Sequence, residues 1–228
     1  MIWLTYIKKV PRENRHHGAL HKENMTQQLL LAAFFFAFFA TKVSSLDYGE
    51  VGPNDDKDYS IDQFLNQSKP IWVFNTTQPN PLLCKNDVNK YMTSASTFFT
   101  RSHKTGQKYT EKNLEGRFGH HDESKNTVYD MITVYEADKP DALGEEVLEF
   151  LSDDKKCAVV SVMDYTEAES PVWRELRLED SIVANGQSNT DSHIYEKCFE
   201  KFDFLVRLTR KKSTKSYSED CKTTQNAS

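Results

Sequence analysis

The chain has no Cys-x-x-Cys pair, which excludes zinc ribbons and thioredoxin-like redox motifs. It also lacks a nucleophile elbow, a His-Glu-x-x-His, a phosphate loop and any paired-carboxylate context. These absences leave no enzymatic chemistry to expect, and no cofactor is implied. There is no internal repeat, and no apolar run long enough to cross a bilayer. Leu29–Ala40 is uninterrupted and apolar but only twelve residues long, the length of the apolar region of a signal peptide. Val43-Ser44-Ser45 places small residues for cleavage before Leu46. The expected organisation is therefore an upstream extension over 1–24, with Met25 as the working start. A signal peptide follows over 25–45, and one exported domain over 46–228.

Removing residues 1–45 takes away six of the 29 Lys and Arg and two of the 34 Asp and Glu, leaving a net charge near −9. That balance disfavours nucleic acid and anionic membrane surfaces as partners. Cys84, Cys157, Cys198 and Cys221 all fall in the exported part. An even count in a secreted chain implies two disulfides, with three connectivities open. Asn66, Asn75 and Asn226 each begin a glycosylation acceptor sequence, as a secreted protein would carry.

The most informative stretch runs from Cys157 to Cys198. Cys157–Met163 is a β-branched run that reads as a buried strand. Val172–Glu179 alternates, with Val172, Leu176 and Leu178 on one face and Trp173, Glu175, Arg177 and Glu179 on the other. Ile194, Tyr195, Cys198, Phe199 and Phe202 then have the spacing of an amphipathic helix, with Asp191 as its N-cap. Both the first strand and the helix carry a cysteine, so a helix stapled to the outside of a sheet is the economical reading.

Upstream, Ser60-Ile-Asp-Gln63 fits a capping box and opens a short helix. Strand heads are read at Ile71, Cys84, Met92, Tyr109, Thr127, Glu146, Cys157 and Val172, with turn chemistry between them. Eight short antiparallel strands plus a carboxy-terminal helix suggest a small closed barrel that holds one small ligand. A two-sheet sandwich is the alternative. The basic Arg207–Lys215 tract reads as a solvated edge strand. His120-His121-Asp122-Glu123, at a hairpin tip, reads as a solvated turn, and no metal site is expected.

The order of these features resembles the tick salivary lipocalins, the histamine-binding family. It comprises a signal peptide, a short acidic helix, an aromatic strand before the first cysteine, and Ser152-Asp-Asp leading to Cys157 and an apolar strand. Glu175-Leu176 on the next strand, a cysteine-bearing helix and a last cysteine near the end complete it. The resemblance spans roughly residues 57–225 and rests on order and spacing; the general lipocalin Gly-x-Trp signature is absent. It implies an all-β fold, an eight-stranded antiparallel barrel with a short N-terminal helix and a C-terminal helix packed outside. It also implies pairing of Cys84 with Cys221 and of Cys157 with Cys198.

The family's amine binders hold a protonated amine with buried carboxylates and box its ring with aromatics, because an amine entering a dry cavity must replace its hydration. Carried over by position, Glu111 in Tyr109-Thr-Glu-Lys is the first candidate amine partner. Tyr129, with Thr127, Met131 and Tyr135 on its strand face, is an aromatic wall position, and Glu175 is a second carboxylate. Trp173 shares the face of Glu175, and Trp72 is a core or cavity aromatic with Phe74. The sequence departs from the family at Ala158, where an acid is expected, and at Arg177, where an aromatic is expected. The carboxylate and tryptophan expected before Cys84 are missing too. Arg177 lies two residues from Glu175 on the same face and would neutralise it; its planar fork would also suit a carboxylate-headed lipid.

The resemblance thus implies a monomeric secreted salivary protein, not an enzyme. It would sequester a small host mediator, a biogenic amine such as histamine or serotonin, to suppress host inflammation or haemostasis. The alternatives are a fatty-acid or leukotriene-type lipid, or a scaffold whose outer loops bind a host protein.

Overall fold

The structure is a computed structural model that describes residues 58–106, 108–122, 128–169, 171–184 and 192–225. The extension and signal peptide expected over 1–45, the N-cap Asp191, Glu123 and the acceptor Asn226 lie outside these residues. The short helix α1 (Ile61–Leu65) precedes β1 (Ile71–Thr76), β2 (Leu83–Met92), β3 (Ser96–Thr105) and β4 (Lys108–Gly119). Then come β5 (Met131–Glu136), β6 (Ala142–Leu151), β7 (Cys157–Asp164) and β8 (Val172–Glu179). The chain ends in α2 (Asp180–Ala184), the long helix α3 (Ser192–Leu208), the two-residue β9 (Thr214–Lys215) and α4 (Asp220–Gln225).

Consecutive strands pair antiparallel from β2 to β8. β1 then closes the barrel, pairing with β8 along its length and with β2 at Ile71 and Trp72. Where β2 leaves β1, β9 takes its place beside Asn75 and Thr76. Alternation along each strand sorts side chains into two apolar layers. The interior holds Phe99, Leu114, Ile132, Val160, Val162 and Trp173, and α1 adds Ile61, Phe64 and Leu65 at one end. The outer layer forms where α3 packs on β7 and β8, burying Phe202 and Leu205 against Trp72, Val159, Leu176 and Leu178.

Two disulfides tie this outer layer together. Cys157 in β7 bonds Cys198 in α3, and Cys84 in β2 bonds Cys221 in α4. In the chain-entropy view, closing loops of 41 and 137 residues stabilises the fold by roughly 4 and 5 kcal/mol.

Several local expectations need correction. Met92 ends β2 and opens no strand. The Thr93 hydroxyl accepts hydrogen bonds from the amides of Ala95 and Ser96, which makes the turn into β3. The Ser60 hydroxyl donates to the Asp62 carboxylate and caps no amide of α1, so the capping box does not form. Arg207–Lys215 is mostly not strand: α3 runs to Leu208, Arg210 takes a left-handed φ of 53°, and only Thr214–Lys215 pair. Tyr129 precedes β5 and belongs to no strand. Its carbonyl accepts from the Ile61 amide (2.8 Å), and its ring stacks between Phe118 and His120.

Candidate functional site

The interior faces of β2, β3, β6 and β8 carry charge where an apolar barrel would carry aliphatic residues. Lys85 and Asp87 come from β2, Arg101 from β3, Glu146 from β6, and Glu175 and Arg177 from β8. Glu175 is 0% and Arg177 1% exposed. A charge buried this deeply must be paired and hydrogen-bonded, and every one of these is.

The Glu175 carboxylate is saturated. Its Oε1 accepts from Lys85 Nζ (2.7 Å) and Trp173 Nε1 (3.0 Å). Its Oε2 accepts from two nitrogens of Arg177 (2.9 and 2.7 Å). Arg177 also donates to Glu146 Oε2 (2.7 Å), whose Oε1 accepts from Arg101 (2.8 Å). Arg101 in turn grips Asp87 with two bonds of 2.7 Å. Three cations face three anions, so this layer is neutral as a whole.

The electrostatics follow from these partners. Burial alone would push the Glu175 carboxyl up, but Lys85 and Arg177 overcome it and hold the group at about 2, below its ordinary 4.5. Glu146 is likewise held far below the carboxylate range, burial being outweighed by Arg101 and Arg177. Lys85 is shifted down, first by burial and then by Arg101 and Arg177, against the pull of Glu175.

Beside this layer, at the end of the barrel away from α1, lies a cavity of about 210 Å3. Lys85, Arg101, His103 and Lys112 contribute to its β2–β4 side. Leu114, Val134, Val162 and Trp173 supply apolar surface, and Glu145, Glu146 and Asp164 stand on the β6–β7 side. His103 is shifted below its ordinary pKa, chiefly by burial and then by Lys85, Lys112 and Arg101. The β2–β4 side therefore presents a positive environment to the cavity.

The residues singled out from the sequence divide three ways. Trp173 lines the cavity, while Glu175 and Arg177 point inward but are tied up in the ionic layer. Trp72 is buried outside the barrel wall, with its indole N–H on Asp180 (2.8 Å) and its ring edge on Tyr217. Tyr129 packs near α1, away from the cavity. Glu111 is exposed, pairs with Ser102 across β3–β4, and touches the Ser102 hydroxyl at 3.4 Å. It stands on the outer face of β4, and its neighbour Lys112 lines the cavity in its place, so the lumen role expected for Glu111 does not fit its position.

Lys85, Asp87, Arg101, His103, Lys112 and Glu146 were not found from the sequence. The one signal was the charged alternation Lys85-Asn-Asp87, which reads equally well as a solvated strand. Of the two acceptor asparagines described, Asn66 is exposed at the end of α1. Asn75 sits within β1, paired on both sides. Among the described residues no group of three or more His, Cys, Asp or Glu is placed to hold a metal. No helix among them is long and apolar enough to cross a membrane.

The closed eight-stranded antiparallel barrel with a helix packed on its outside is the lipocalin fold. Among solved structures, the serotonin complex of AM182 aligns over 72% of this chain and 94% of its own, at 19% identity and a TM-score of 0.51. Insecticyanin from the tobacco hornworm Manduca sexta aligns over 72% and 84%, at 13% identity and 0.49. Cholesterol-bound Japanin from Rhipicephalus appendiculatus aligns over 68% and 96%, at 8% identity and 0.41. At these identities the likeness is one of fold. No protein-family model matches the sequence, and no curated protein matches it.

Proposed function

We propose that the protein is a secreted salivary lipocalin of the histamine-binding type. It captures a small biogenic amine in its barrel cavity and does no chemistry on it, lowering the mediator's free concentration in the host. The observation that carries this reading is the cavity itself. At about 210 Å3 it lies below the roughly 300–1,000 Å3 usual for drug-sized ligands, which favours a compact monoamine over a long acyl chain. Trp173 offers a ring face, and Asp164 offers a carboxylate to an ammonium. The serotonin held by AM182 is in keeping with this, through a shared fold only.

The carboxylate-headed lipid fits less well, because the guanidinium expected to grip it, Arg177, already donates to Glu146 and Glu175. Titration calorimetry against histamine, serotonin and a leukotriene tests the reading. Heat and saturation with an amine and none with the leukotriene are expected. Silence from both amines removes the proposal.

A further inference from the structure

The ionic layer neutralises itself, so the groups left to define the cavity's polarity are those nearer its mouth. They fall into two sets. His103 in β3 and Lys112 in β4 stand on one side of β5, and Asp164 in β7, on the same inner face as Val134 and Gly144, on the other. Val134 of β5 lies between the two sets, and Leu114, Val162 and Trp173 complete the apolar surface. The sets do not short-circuit each other. Among the hydrogen bonds and ion pairs of the described residues, Arg101 is directed to Asp87 and Glu146, and Lys85 to Glu175. Among the described residues the Asp164 carboxylate accepts from the nearby Thr166. His103 is shifted down chiefly by burial, and Lys85, Lys112 and Arg101 are the cations that add to it.

A ligand with one charge gains from one side of such a cavity and is opposed by the other. A ligand with an ammonium and a carboxylate on one small body meets a partner for each, and its ring or alkyl part meets the apolar strip between. We infer that the cavity selects small zwitterions of the α-amino-acid class with a ring side chain, in preference to the corresponding amine or acid alone. This rests on the reading of the barrel as a small-ligand trap and puts an amino acid in place of the bare amine as its preferred ligand.

The test uses three probes that share an indole and differ in charge: tryptophan, tryptamine and indole-3-propionate. They are titrated calorimetrically into the disulfide-bonded protein at neutral pH and low salt. Tryptophan is expected to bind at least about tenfold tighter than either other probe, the scale of one charge-assisted hydrogen bond. Lys112→Met, at a position exposed enough to spare the fold, is expected to weaken tryptophan about tenfold and to strengthen tryptamine by lifting a like-charge repulsion. Tryptamine equal to or tighter than tryptophan overturns this inference and leaves amine capture standing. Indole-3-propionate binding tightest overturns both, as does an absence of heat from all three probes. A Lys112→Met variant that weakens tryptophan and tryptamine alike also overturns the inference, since a loss blind to charge is a packing effect.

Discussion

Replacing Arg177 with methionine isolates what the interior ionic layer contributes. The side chain donates to Glu175 twice and to Glu146 once, with all three bonds between 2.7 and 2.9 Å. Methionine fills much of the space but leaves the layer with two cations and three anions. Removing one partner of a buried pair costs about 3–5 kcal/mol, because the charge left behind stays desolvated. At roughly 2–4 °C per kcal/mol for a chain of this size, the midpoint of thermal unfolding should fall by about 6–20 °C. Circular dichroism with the disulfides kept oxidised reads this directly. Arg174→Ala is the control. It removes a bridge to Glu149 of similar length (2.8 Å) but partly exposed on the outer face, where less than about 1 kcal/mol is at stake.

The pH dependence gives a second reading of the same layer. Glu175 is held at about 2 against an ordinary 4.5. A carboxyl depressed on folding contributes stability above its unfolded pKa and loses it as pH falls through the folded one. The native protein should therefore lose stability between about pH 4.5 and pH 2, on the order of 3 kcal/mol from this group. Arg177→Met should flatten that slope, narrowing the gap between variant and native protein as the pH drops. A neutral-pH loss no larger than that of Arg174→Ala, or a gap that stays constant with pH, would show that the layer does not carry the charge assigned to it.

Three further outcomes follow from the same geometry. Glu111→Gln should leave amine affinity within about twofold of the native value, because the carboxylate faces solvent on β4; a tenfold loss by calorimetry would place it back in the lumen. Exchanging Cys157 and Cys198 together for serine should cost about 4 kcal/mol in urea unfolding, with the native fold retained; a loss under about 1 kcal/mol would mean that apolar packing alone holds α3 to the barrel. Gly144→Ala should destabilise by roughly 1–3 kcal/mol, since an added Cβ meets the Met163 carbonyl oxygen at 2.1 Å, backbone that must shift before β6 and β7 can pair. Unchanged stability would refute the close approach of these strands.

The parts of this molecule that could be read from its sequence are those where one face of an element is apolar. Val172–Glu179 and the helix through Cys198 and Phe202 announce themselves because burial on one side imposes a period, and Cys157–Met163 because burial on both faces makes it a continuous β-branched run. The helix-to-barrel staple follows from the cysteines they carry. The first half of β4 has no such signal. Lys108-Tyr-Thr-Glu-Lys-Asn113 is polar at nearly every position, and without an apolar face the period of two has no phase. A shift by one residue exchanges Glu111 for Lys112 at the cavity wall, and positional matching to a family carries no information on that phase.

The ionic layer was hidden for a different reason. Glu175 meets Lys85 across 90 residues of sequence, and Glu146 meets Arg177 across 31, so each partner exists only once the barrel has closed. Arg177 looked like an anchor awaiting a ligand because only Glu175 was near it in the chain. In the folded barrel Glu146 completes its shell, and Lys85 and Trp173 complete that of Glu175. Departures from a family's motif at buried charged positions are thus better judged in sets across the sheet than one at a time. An aromatic replaced by Arg177 makes structural sense only together with the acids on β6 and β8 and the cations on β2 and β3. It follows that the cavity's preference is set by charges this layer leaves over, nearer the mouth, and not by the layer itself.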